Sequence, residues 1–502
     1  MTTDATRTSP PADPAGGTRA RLRARWDGLG RSTRILVWLF AAAVLMKVIT
    51  YLGIADGPLV GDEAFYLDSG RALSNLIRDV VWLRSPDTAE IERHVVGSGW
   101  FMPGMSVVLT PLYLVVPGAS LALVRAYLSV FSTILLLLTV LKVRRTLGDL
   151  PAGAMLVFPG LVPTYAVFGA AAWGDTSAGL LVVLMLCQAV DMLRAARDHG
   201  TISWRDGVKL GIYAIVAVYF RSSVSLLVVG MLGLTFVLSL VLARRADRLR
   251  VVGTYVAAGV VFVGLLAPWS IGASASLNGP VLTTVSVPTV RANAFGDRDT
   301  VCFGECDPGT SIWFSPLRYS REQGRATGLS ELAIADEMSA YARRHVTAQS
   351  YARDVGINSA RYFGTPARFA TLLRWDGAPY NIVPLAEVLT LGTFYPACLV
   401  MLVLLGAATR RRFDTQLTLV LLKVGIIGLL AQPFVHIGGP RYWTTMAPML
   451  GIGAALLWTL RQERRAELPV QRGAVSTTLF ALQIALGVFA LAVVATIGLL
   501  AI

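Results

Sequence analysis

Long apolar runs recur along this chain and leave few architectures open to it. They lie at about 35–54, 121–142, 152–172, 177–193, 208–220, 224–243, 251–272, 383–407, 415–436, 444–460 and 475–500. A helix rises about 1.5 Å per residue, so roughly 20 apolar residues cross the hydrocarbon core of a bilayer. Most of the runs have that length; 208–220 is short and crosses only by drawing on its flanks. Backbone N–H and C=O groups in lipid have no water to bond, which favours helices that satisfy them internally. The expectation is an all-α polytopic integral membrane protein of about eleven transmembrane helices. Composition agrees, with 54% hydrophobic and 15% charged residues among 502 and a mean hydropathy of +0.60. Soluble domains carry about a quarter charged residues.

The net charge of +14 would suggest a nucleic-acid partner in a soluble protein. Here the positive charges sit in short clusters between apolar runs: in the N-terminal tail, at Lys142–Arg145, Arg194–Lys209, Arg244–Arg250, Arg410–Arg412 and Arg461–Arg472. These alternate with turns poor in Lys and Arg, the pattern of loops retained on the cytoplasmic side beside anionic lipid. The basic excess therefore reads as topology, with no call for nucleic acid. It predicts a multi-pass protein of the cell membrane, N-terminus inside and C-terminus outside. Residues 1–34, rich in Pro, Gly and Thr and then in Arg, read as a disordered basic cytoplasmic tail. No cleavage-site pattern follows Ile35–Ile54, so that run reads as a retained helix.

Four units follow: the tail 1–34, a transmembrane module 35–272 that includes a first outer loop at 55–120, an outer loop or cap at 273–382, and C-terminal transmembrane helices at 383–502. In the first outer loop, Tyr66, Leu73, Ile77 and Val80 alternate at helical spacing with Asp68, Arg71, Asn75 and Arg78. That is the pattern of a helix lying on the membrane surface. Met105–Val116, flanked or interrupted by Pro103, Pro111 and Pro117, is too short to cross and suits an interfacial or re-entrant helix. Ser330–Trp375 has helical patterning and many arginines, with no apolar core of its own. Cys187 and Cys398 fall inside apolar runs as packing residues. Cys302 and Cys306, in CFGEC, are either a local disulfide, if that loop meets an oxidising exterior, or free thiols.

Charged residues gather at one predicted face. Asp62 and Glu63 follow the first span, Asp175 lies in WGDTS, Arg221 in YFRSS and Arg441 in GGPRYW beside Tyr442. All fall in turns placed outside. Each has a plain structural reading: acids at a helix start favoured by its dipole, Asp175 as an N-cap, and arginines as interfacial anchors. Lys423, about eight residues from the cytoplasmic end of its run, reads as snorkelling, and His199 and His345 as solvated.

The ordered set of motifs resembles a family. GDEAFY is similar to the Asp-Glu motif of GT-C glycosyltransferases, in the branch of protein O-mannosyltransferases and lipid A aminoarabinose transferases. GWFMPGMSVVLTPLYLVVPG resembles the Pro-Pro-Gly segment and second surface helix of their first loop, and VFGAAAWGDTSAGLLVVLML the span with their second acid. AVYFRSSVSLLVV resembles the Thr-Arg-Pro segment, LLAPWSIGASASLNGPVLTT the Ala-Pro-Trp segment, and PRYWTTMAPMLGIGAA the late Arg-Tyr segment. Two departures stand out: Phe101-Met102 replace an expected Lys-Pro, and Ser222 replaces the proline after the arginine.

The resemblance implies a GT-C-type bundle that moves a sugar from a polyprenyl-phosphate donor to an extracytoplasmic acceptor hydroxyl on a glycan, lipid or protein, with inversion. It makes Asp62 the general base, with Glu63 and Asp175 as supporting acids. Arg441, Arg221 and Tyr442 bind the donor phosphate. Asp62, Glu63 and Asp175 also offer oxygen ligands of the kind a divalent metal takes. Two other functions use many spans and phosphate-binding arginines: a flippase or transporter of lipid-linked sugars, and an O-antigen-type ligase or polymerase. A transporter has no need of a carboxylate poised as a base at one face.

The topology is open to direct test. Cysteine reporters at Ser98 and Ser311 should react with an impermeant thiol reagent in intact cells, and one at Ala466 should not; labelling at 466 alone would reverse the orientation.

Overall fold

A computed structural model describes residues 28–97, 99–285, 294–295, 315–344, 346–374 and 381–501, and no strand occurs among them. Cys302, Cys306, His345 and most of the N-terminal tail lie outside the described residues.

The helices in chain order are α1 (Arg31–Ile54), α2 (Glu63–Val81), α3 (Gly104–Val115), α4 (Leu121–Leu147), α5 (Asp149–Val157), α6 (Pro163–Ala170), α7 (Asp175–His199), α8 (Trp204–Phe220), α9 (Ser225–Leu242) and α10 (Arg248–Ser276). After them come α11 (Ser315–Thr327), α12 (Glu331–Ala342), α13 (Ala348–Phe363), α14 (Val383–Gly406), α15 (Phe413–Leu430), α16 (Trp443–Arg465) and α17 (Ala474–Ala501). Among the described residues nine helices are long and apolar enough to cross a membrane: α1, α4, α7, α9, α10, α14, α15, α16 and α17. The chain is thus a multi-pass membrane protein.

α7 is the centre of the bundle. It packs on α4, α8, α9 and α16, and nearly every residue from Asp175 to Leu193 is buried. Against α16 the two backbones come close at Gly179, where a Cβ would lie 2.6 Å from the Thr445 carbonyl oxygen. Without a hydrophobic force between helices in lipid, small residues that allow such approach supply much of the packing.

The apolar run 152–172 is broken. α5 ends at Val157 and α6 starts at Pro163, with Phe158 and Val162 extended. Each precedes a proline, whose ring disfavours the helical region for the residue before it. Irregular backbone at membrane depth is tolerated when protein covers it. Here α16 does so: a Cβ on Gly451 would lie 2.1 Å from the Phe158 carbonyl oxygen. α8 has 17 residues and is sandwiched between α7 and α10.

Both stretches between α1 and α4 that the sequence predicts as helical are helices. α2 and α3 pack on each other, and Arg78 donates to the Leu114 carbonyl at 3.1 Å and to that of Tyr113. The expected stripe on α2 divides. Tyr66 turns inward at 6% exposure, while Ile77, Val80, Val81 and Trp82 remain exposed in the manner of an interfacial helix. Of the cap, α11 and α12 share a small separate cluster of Ile334, Met338, Ala342 and Tyr319.

Lys423 differs from expectation. It is 1% exposed and donates to the Gln483 carbonyl at 2.7 Å. α17 covers that face of α15, so the amine meets a backbone acceptor there and does not snorkel. His199 is exposed, as expected, and Cys187 is buried.

The α7–α16 contact predicts that Gly179→Val will be costly. Overpacking of this kind destabilises by about 1–3 kcal/mol and should lower the unfolding temperature in detergent; an unchanged melt would mean that this contact does not hold the bundle.

Candidate functional site

Four turns of the chain meet at one end of the bundle. Asp62 precedes α2, Asp175 opens α7, Arg221 follows α8, and Arg441 precedes α16. Arg441 Nη2 donates to Asp62 Oδ2, and its Nε lies 3.4 Å from Asp175 Oδ2. Arg221 Nη1 lies 2.8 Å from Asp175 Oδ1. Asp175, fully buried, therefore bridges the two guanidiniums. Neither acid caps its helix with its side chain, and neither arginine reaches outward, each being 14% exposed. A carboxylate out of water is tolerated only when charged and hydrogen-bonding partners compensate its lost hydration.

Aromatic rings hold the guanidiniums from the side. Arg221 Cζ lies 3.9 Å from the Tyr442 ring centroid, and Arg441 Cζ 5.1 Å from that of Trp173. Burial works against the charge of Arg441, but the Asp62 and Asp175 carboxylates outweigh it and hold its pKa above the ordinary arginine value. Burial, with the Asp62 carboxylate, pushes the Tyr66 phenol up, so it stays a neutral hydroxyl. Burial pushes the His436 imidazole down to about 4, so near neutral pH it adds no charge. Its Nδ1 donates to the Ile437 carbonyl at 3.1 Å.

Glu63 faces the other way. At 1% exposure, its Oε2 accepts from Val60 N at 2.9 Å and Arg125 Nη2 at 3.1 Å, and its Oε1 accepts from Ala172 N at 3.2 Å. Arg125 in turn donates to the carbonyls of Ile54, Gly57 and Pro58. The pair ties the end of α1, the start of α2 and the turn before Asp175 into one block. Arg125 was not singled out from the sequence, although one arginine inside the run LALVRAYL is a visible signal.

The cluster stands in a cavity of about 720 Å³ lined by Asp62, Tyr66, Trp173, Arg221, Arg441 and Tyr442, among others. Its wall continues through Leu226, Gly428, Ala431 and Val435, where Leu226 and Val435 are 61% and 46% exposed. The cavity thus has a charged end and an apolar side that meets the exposed surface between α9 and the end of α15. Arg368 and Phe369 also line it; nothing in the sequence separates Arg368 from the other arginines of the cap. α13 braces the turn carrying Arg441, since Tyr362 Oη donates to the Tyr442 carbonyl at 3.2 Å.

The three acids do not form a metal cage. Glu63 spends both oxygens on the block beneath, Asp62 and Asp175 are paired with arginines, and no group of three metal-ligating side chains occurs among the described residues. The donor set does not fit a divalent ion.

No family model matches this chain, and no curated protein matches it either.

The Glu63–Arg125 pair should behave as structure. Glu63→Gln leaves the Arg125 charge buried without its counter-ion, which costs about 3–5 kcal/mol. The purified variant should unfold at a clearly lower temperature than the wild type; an equal temperature would free Glu63 for another role.

Proposed function

We propose that this protein is a membrane glycosyltransferase that moves a sugar from a polyprenyl-phosphate donor to a hydroxyl on an extracytoplasmic glycan, lipid or protein. The observation that carries the reading is the Asp62–Arg441–Asp175–Arg221 network at the charged end of a cavity whose other wall is apolar and opens towards lipid. A lipid-linked sugar phosphate is a ligand with those two halves. The motif order resembling GT-C enzymes supports it. This reading counts the broken α5–α6 pair and α8 as crossings, for eleven spans, and with the basic loops inside it takes the network to lie at the outer face of the cell membrane.

In this mechanism Arg441 holds Asp62 Oδ2, while Asp62 Oδ1 has no hydrogen bond among the described residues and accepts the proton of the acceptor hydroxyl. The acceptor oxygen attacks the anomeric carbon as the carbon–oxygen bond to phosphate breaks, its electron pair leaving with the phosphate. Positive charge builds on the sugar and negative charge on the departing group. Fixed guanidiniums stabilise that anion and need little rearrangement to do so. Arg441 and Arg221 fill this role, and the arginine fork suits phosphate oxygens. Asp175 positions both guanidiniums, and Tyr442 supports Arg221 from below. Direct displacement inverts the anomeric centre.

Two substitutions separate the roles. Asp62→Asn should leave donor binding intact and lower single-turnover transfer by about 100-fold or more, the usual scale of lost general-base catalysis. Arg441→Ala should weaken binding of a polyprenyl phosphate and also slow transfer, since contacts in both the ground and transition states are lost. Wild-type turnover in Asp62→Asn would reduce GDEAFY to a helix start. Normal lipid-phosphate binding in Arg441→Ala would remove the clamp.

A further inference from the structure

Charge balance within the cavity points to a residue outside the motifs. Of its guanidiniums, Arg441 is matched to Asp62 and Asp175, and Arg221 to Asp175. Glu63, beside Asp62 in sequence, is matched to Arg125 in the block below. Arg368 also lines the cavity, and its side chain has no ion pair or hydrogen bond among the described residues. Glu387 lines the shallow depression on its other side, but no ion pair joins the two. With His436 neutral, the described charges are three guanidiniums against two carboxylates. Arg368 therefore brings to the cavity a positive charge that no acid among the described residues pairs.

The backbone that carries Arg368 is held in place, while the residue itself is exposed. It opens a short 3₁₀ segment, Arg368–Leu373, in which Ala370 and Leu373 are buried. Phe369 packs edge-on against Trp173 with ring centroids 5.0 Å apart, and Arg441 lies over that same indole. The Trp173 Nε1 donor is buried with no acceptor among the described residues, and the indole forms part of the cavity wall. A buried donor in the wall of a cavity suits an acceptor supplied by a ligand. A guanidinium without an ion pair and an unanswered N–H, both lining the cavity, suit an acceptor-rich anion.

We infer that Arg368 is a further contact for the phosphate of a lipid-linked donor, taking up part of its charge alongside Arg441 and Arg221. This rests on the reading of the cavity as a polyprenyl-phosphate site and adds a residue from the cap to it.

The test is equilibrium binding of a polyprenyl phosphate to the full chain in phosphatidylcholine nanodiscs, with the polyprenol lacking phosphate and inorganic phosphate as parallel probes. Arg368→Ala should weaken polyprenyl phosphate binding at least about tenfold, the scale of a lost charge-assisted hydrogen bond. It should leave polyprenol binding unchanged, and Arg368→Lys should recover part of the loss, keeping the charge without the fork. If the wild type binds polyprenyl phosphate and Arg368→Ala binds it equally well, Arg368 is not the contact and the transferase reading stands. An equal loss for polyprenol would assign Arg368 to shaping the cavity and overturn the inference. Inorganic phosphate binding as tightly as the lipid, with the same dependence on Arg368, would make this a free-anion site and overturn the lipid assignment. If the wild type binds no polyprenyl phosphate, the donor reading and the inference fall together.

Discussion

Asp175 is the constraint around which one end of this protein is organised. A fully buried carboxylate at the start of the most enclosed helix has lost its hydration, and only nearby cations and donors make that tolerable. Arg221 and Arg441 supply the charge. Because they come from turns before different helices, satisfying Asp175 also fixes where α9 and α16 begin. Asp62 is then held through Arg441. The ion pairs, formed to offset one buried charge, leave a row of polar groups facing a cavity.

The surrounding bundle holds that arrangement by contact more than by charge. Close backbone approach at Gly179 and Gly451 lets α16 lie against α7 and against the break between α5 and α6. The Glu63–Arg125 pair plays the same part for the loop before α2, linking the end of α1 to the turn before Asp175. α13 and the 3₁₀ segment of the cap brace the other side, through Tyr362 on the turn carrying Arg441 and Phe369 on Trp173. The network is thus mounted on rigid elements from widely separated parts of the chain, which a preorganised electrostatic site requires.

Much of this was legible in the residues. Apolar length and the alternation of basic loops announced a helical membrane protein, and Asp62, Asp175, Arg221 and Arg441 stood out because charges beside apolar runs are costly. Direction of side chains was not legible. Asp62 and Glu63 are adjacent and chemically alike, yet at a helix start neighbouring side chains diverge, so one meets the cavity and the other is buried against Arg125. The stripe on α2 divided for a related reason: Tyr66 and Val80 lie at opposite ends of a helix with different neighbours. Lys423 looked like a residue able to reach water, and only the packing of α17 over it closed that route.

The sequence by itself determined the solvent in which the chain folds, the helical class that solvent demands, and the turns that carry its costly charges. Those properties depend on local composition and run length, which need no knowledge of neighbours. Which acid faces which arginine was decided by tertiary structure, as were the packing of the break in the 152–172 run against α16 and the placing of Phe369 against Trp173. Each depends on the relative rotation of helices far apart in the chain, and in lipid that rotation is set by close packing, which no single run of residues contains.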